Sequence, residues 1–186
     1  MKSLIRTCRH LAVGLVIAAA VMSPAQGAHA GPSNPEVPGT IAVPEGNKLF
    51  RVGHAVGVQI YSCNATSGGL KWEFVAPRAD VYNDQGKLIM THFGGPTWQA
   101  GDGSAVVGRR EAGVNVDPTA VDWLLLSVAS SSAGEGDQLT GTTFIQRTAT
   151  SGGIAPDAAE CNAETVGNQA EVPYTADYYF WKAKNS

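Results

Sequence analysis

The chain has 186 residues, a formal net charge of −3, 22 glycines and three cysteines. Its length suits one domain large enough to bury a substantial core. Its acidic balance argues against nucleic acid and anionic membrane surfaces as partners.

At the N-terminus, Lys2, Arg6 and Arg9 precede an apolar run from Leu11 to Met22, and Ala28-His29-Ala30 follows as a small-x-small site. This pattern predicts a secretory signal peptide over residues 1–30, cleaved after about Ala30. The 12-residue run is too short to span a bilayer, which takes ~20 residues. No stable membrane anchor is therefore expected, and the expected location is extracellular or periplasmic. Three of the 13 basic residues and none of the 16 acidic ones lie in this segment, leaving 10 against 16 and a net charge of −6. Cys63 and Cys161 remain as an even pair in an oxidising compartment, where a disulfide is the expected state.

Residues 31–48 hold four prolines and little apolar periodicity, predicting an extended leader before a single β domain over 49–186. Val56 to Cys63 alternates with period two, with Val56, Val58 and Ile60 on one face and Gln59, Tyr61 and Cys63 on the other. Leu70–Ala76 and Ala79–Tyr82 read as strands. The turn Asn83-Asp84-Gln85-Gly86 then joins the second of these to Lys87–Phe93 as a hairpin. Further strands are predicted at Ala105–Arg109, Trp123–Ala129, Thr140–Arg147 and Tyr174–Lys182, with loops at 130–136 and 148–168. No segment sustains a 3.6-residue apolar stripe. The expected fold is all-β, an antiparallel sandwich or barrel with long loops and little helix.

Familiar catalytic patterns are missing. Gly101-Asp102-Gly103 does not extend to a dinucleotide fingerprint, and Ser104 lacks the frame of a nucleophile elbow. The mature segment has two histidines, His54 and His92, without zinc-ligand spacing, so neither a metal nor a cofactor is expected. The segments Gly57–Cys63, Ala76–Ala79, His92–Trp98, Asp102–Ser104, Trp123–Leu126, Ile145–Arg147 and Val172–Phe180 resemble the family catalogued as domain of unknown function 3455. Its members are similar secreted bacterial and fungal proteins. The resemblance spans the mature chain and implies no established activity.

The candidate ligand-binding residues are His92, Trp98, Asp102 and Tyr179, which set aromatic planes beside polar groups suited to a small molecule or carbohydrate. Trp98, next to the constrained Gly94-Gly95-Pro96 turn, either plugs the core or lies open to a ligand. Along the tail, Tyr178 and Phe180 share one side, Tyr179 and Trp181 the other. Arg147, in an apolar strand, reads as half of a structural ion pair. These features favour a non-enzymatic extracellular binding or surface protein. The alternative is a hydrolase or lyase with His92 as general base oriented by Asp102.

Overall fold

The computed structural model describes residues 32–185, and the expected signal segment lies outside the described residues. Eight antiparallel strands follow one another in chain order around a closed barrel. They are β1 (Asn47–Thr66), β2 (Gly69–Tyr82), β3 (Leu88–Phe93), β4 (Thr97–Ala100), β5 (Ala105–Val114), β6 (Trp123–Ser132), β7 (Thr142–Gly152) and β8 (Gln169–Ala183). The pairing of β1 with β8, from Asn47 opposite Ala183 to Ser62 opposite Gln169, closes the ring. Of the two expected architectures, the barrel is the one formed. Helix is confined, among the described residues, to two single 3₁₀ turns at Gly39–Ile41 and Ala158–Glu160.

The strands alternate in direction, so the connections at 67–68, 94–96, 115–122 and 153–168 gather at one end, here the upper end. The turns at 83–87 and 101–104 and the loop 133–141 lie at the lower end. Ala55, Val81, Met90, Ala100, Val106, Ile145 and Phe180 belong to the apolar core within the ring. Leu139, wholly buried, reaches that core from the lower loop.

Several elements differ from those read in the sequence, each for a local reason. Leu70–Ala76 and Ala79–Tyr82 are one strand, because β2 runs through Pro77 opposite Gln59. A register shift at Ile60/Tyr61 lies beside that proline, where an irregularity tolerates a missing backbone donor. Thr97–Ala100 is a short additional strand, and β7 extends to Gly152 through a second register shift at Thr148/Ser151. On β1 the inward face is the one bearing Gln59, Tyr61 and Cys63, whereas Val56 is 58% exposed on the outer wall. The tail divides as its alternation requires. Tyr178 and Phe180 enter the core, while Trp181 is buried outside it and donates from Nε1 to Gln146. Gln146 in turn donates to the carbonyl of Ile41, a fully buried residue that fastens the proline-rich leader to the barrel.

Cys63 and Cys161 form a disulfide with a Cα–Cα separation of 5.3 Å. It joins the upper part of β1 to the 153–168 loop, as does the backbone exchange between Cys63 and residues 167 and 168.

Candidate functional site

The upper end of the barrel is not filled. A cavity of about 700 Å³ opens there, within the range of small-molecule sites. Its interior is lined by Gln59, His92, Trp98, Leu126, Arg147 and Tyr178, drawn from six strands. Around the mouth stand Phe74, Val75, Pro96 and Ile154, of which Phe74, Val75 and Ile154 are exposed apolar side chains.

The β3–β4 hairpin makes the inner wall. His92 pairs directly with Trp98 across the two strands, and their rings stack at 4.2 Å between centroids and 11° between planes. Tyr178 meets both rings edge-on. Trp98 needs space that Gly108 provides, since a Cβ there would lie 3.0 Å from the indole and 2.9 Å from Leu126. His92 Nδ1 lies 2.8 Å from the carbonyl oxygen of Thr97. A carbonyl only accepts, so Nδ1 carries the proton and Nε2 the lone pair. Burial, and secondarily the nearby Arg147 charge, hold His92 down at about 3, against the bond to Thr97 that favours its proton. The ring is neutral at ordinary pH.

Arg147 is the only guanidinium inside this group of aromatic hydroxyls among the described residues, and its charge acts on Tyr61, His92, Tyr174 and Tyr178. Its Nε and one terminal nitrogen donate to the backbone carbonyl of Asp122 at 3.0 and 2.8 Å. The Asp122 carboxylate is turned to Arg110 instead. The sequence reading of Arg147 as half of an ion pair is therefore corrected: among the described residues a peptide carbonyl and the Tyr178 hydroxyl hold it, with no carboxylate in ion-pair range. Burial raises the Tyr61, Tyr174 and Tyr178 hydroxyls above the usual phenol value, so all three stay protonated. On the lining, the wholly buried Trp98 Nε1 has no hydrogen-bond partner, and the equally buried Gln59 Nε2 has none of good geometry, with the Tyr174 hydroxyl as its neighbour. Native interiors rarely leave such groups unsatisfied.

The 153–168 loop folds over this end. Gly152 and Gly153 have φ of +67° and +79°, a left-handed pair that other residues adopt only with strain. Tyr61 donates to the Gly153 carbonyl at 2.7 Å, so the turn is tied to β1.

Of the four candidate residues, the structure brings His92 and Trp98 together and sets the other two apart. Asp102 sits in the lower β4–β5 turn, accepting from the Ser104 hydroxyl and from the backbone of Ser104, Gly136 and Gln138. The Ser104 hydroxyl, then these amides, hold its carboxyl down at about 2. It joins two lower connections and makes no bond to His92, so a dyad of these two residues is not assembled. Tyr179 is half-buried on the outer wall beside Asp177 and Asp84. Those carboxylates grip His54, at 2.7 Å through Nδ1 and 2.8 Å through Nε2. Gln59, Tyr61, Arg147 and Tyr178 are among the lining residues that pattern reading did not select. The visible signals were a glutamine and an arginine inside apolar strand sequence.

No group of three or more metal-ligating side chains occurs among the described residues. No curated protein and no solved structure matches this chain. The sequence model of the family described as "Protein of unknown function (DUF3455)" matches residues 44–182, which include all eight strands but for the last residue of β8, and the chain belongs to that family.

Proposed function

We propose that this protein is a secreted binding protein that holds one small molecule in the upper mouth of its barrel. The observation that carries the reading is the cavity of about 700 Å³ with an unpartnered buried donor, Trp98 Nε1, and a carboxylate-free guanidinium on its lining. An apolar cleft with a few fixed polar groups is the general form of a ligand site. The Cys63–Cys161 bridge supports an oxidising compartment. Exposed pairs such as Arg78–Glu171 and Arg109–Glu111 on the outer wall support a barrel whose outside faces water, the reverse of the apolar exterior of membrane barrels. Binding is favoured over turnover because a histidine held near 3 is a poor general base at neutral pH, and Asp102 lies at the other end of the barrel.

The test is fluorescence titration with N-phenyl-1-naphthylamine, a neutral apolar probe. Enhancement is expected with the wild type and its loss in the double variant Val75→Trp/Ala155→Trp. Both positions are exposed at the mouth, so the added rings obstruct entry while the melting temperature stays within a few degrees. Equal enhancement in both proteins, or none in the wild type, defeats the reading.

A further inference from the structure

We infer that the ligand is a monocarboxylate with a compact aromatic or apolar body, its carboxylate received by Arg147. This deepens the cavity reading and rests on it. The chemistry of the lining selects the class. Its unused capacity is in donors: Trp98 Nε1 has no partner, Gln59 Nε2 meets only the Tyr174 hydroxyl in a poor geometry, and Arg147, with five N–H groups, turns two nitrogens to one carbonyl and otherwise reaches the Tyr178 hydroxyl, with no carboxylate among its partners. Against these stand the lone pairs of His92 Nε2 and of the Gln59 amide oxygen. A surplus of donors around a fixed positive charge fits a ligand that only accepts, and a guanidinium pairs with a carboxylate in a planar two-point contact.

The number of charges follows from the neighbours. Arg110, at the same mouth, is already neutralised by Asp122 at 3.1 Å, so a second carboxylate would find no unpaired cation on the lining and would face the Asp122 carboxylate. A neutral sugar would bring about as many donors as acceptors and leave the guanidinium without a counter-charge. The body of the ligand is set by the apolar surfaces of Trp98, Tyr178, Leu126, Phe74 and Ile154. A two-ring skeleton is of the right order for about 700 Å³.

Three probes on one ring system separate the charge from the shape: 2-naphthoate, 2-naphthamide and 2-naphthylmethylammonium, titrated calorimetrically into the oxidised protein. The expected order is acid over amide by about tenfold, with the ammonium weakest, because a hydrogen bond to a charged group outweighs a neutral one by roughly that factor. Arg147→Gln should erase the acid's advantage and leave the amide within about twofold. Arg147→Lys should retain part of the advantage, since it keeps the charge without the fork. Melting curves identify a glutamine variant that has unfolded, in which case the wild-type order and the lysine variant decide. Equal affinity for all three probes, or an acid preference that survives Arg147→Gln in a folded protein, overturns the carboxylate and leaves the cavity reading standing. Binding of none of them overturns both.

Discussion

Two histidines of opposite character set the pH dependence at the scale of single residues. His92, stacked on Trp98 and buried, is held down at about 3, so on acidification below ~6.5 the unfolded chain takes up a proton that the folded chain refuses. Stability falls through that window and the loss levels off near 3. His54 behaves inversely: bonds to Asp84, then Asp177, raise its affinity for a proton. Its contribution is complete below ~6.5 and disappears as pH climbs through the raised value. The two effects meet near the same unfolded value, so stability should peak around pH 6.5. Urea midpoints measured from pH 4 to 9 should show it. His92→Gln should flatten the acid limb and His54→Gln the alkaline one; unchanged limbs in both variants would refute the assignment. Trp98 belongs both to the core and to the cavity wall, which is why its truncation is a poor binding test. Trp98→Ala removes a side chain only 1% exposed and should cost ~3–5 kcal/mol whatever the ligand.

Among the elements, the 153–168 loop matters most for the site. It brings Ile154 and Ala155 to the mouth, and three ties to β1 hold it: the Tyr61–Gly153 bond, the backbone exchange at Cys63 and the disulfide. The bridge spans a sequence separation of 98, and closing a loop of that size stabilises a fold by up to ~4–5 kcal/mol on the chain-entropy model. Cys63→Ser/Cys161→Ser should therefore lower the denaturant midpoint and raise amide exchange first in 153–168, with the lower-end turns unaffected until global unfolding. Uniform exchange across both ends would count against a local role. The sequence already suggested this loop and the cysteine pair. It did not show that β7 runs on to Gly152 before the left-handed glycines turn the chain, because a positive-φ residue such as Ala149 (φ 47°) within the strand carries no periodic signature.

For the whole molecule, closure is the decisive fact. Each strand has a paired neighbour on either side, although the short β3–β4 hairpin pairs only with Ala79–Tyr82 of β2 and Ala105–Val107 of β5 and leaves the upper parts of those two strands open beside the cavity. Ending the chain after Asp177 would remove Tyr178, Phe180 and Trp181 and free stretches of β1 and β7 that now pair with them. Such a truncation should give aggregated protein by size-exclusion chromatography. A soluble monomer with the wild-type circular dichroism spectrum would show that closure is dispensable.

Period-two runs punctuated by glycine, proline and Asn-Asp turns determined by themselves that the chain is antiparallel β, because side-chain alternation and turn conformations are local properties. The two cysteines beyond the expected signal segment pointed to the disulfide, and the constrained 94–96 turn put His92 and Trp98 within six residues of each other, although their direct pairing rests on a strand, Thr97–Ala100, that the pattern did not show. Tertiary structure alone decided which face of each strand looks inward. On β1 the more apolar set, Val56, Val58 and Ile60, lies on the outer face and Gln59 and Tyr61 face in, because facing is fixed by register around a closed ring and not by the strand's own composition. The local run of β4 carries Asp102 to the lower end, away from His92, and closure gathers Gln59, Arg147 and Tyr178, from β1, β7 and β8, around one cavity. Contacts between residues so far apart in the chain exist only once the last strand pairs with the first.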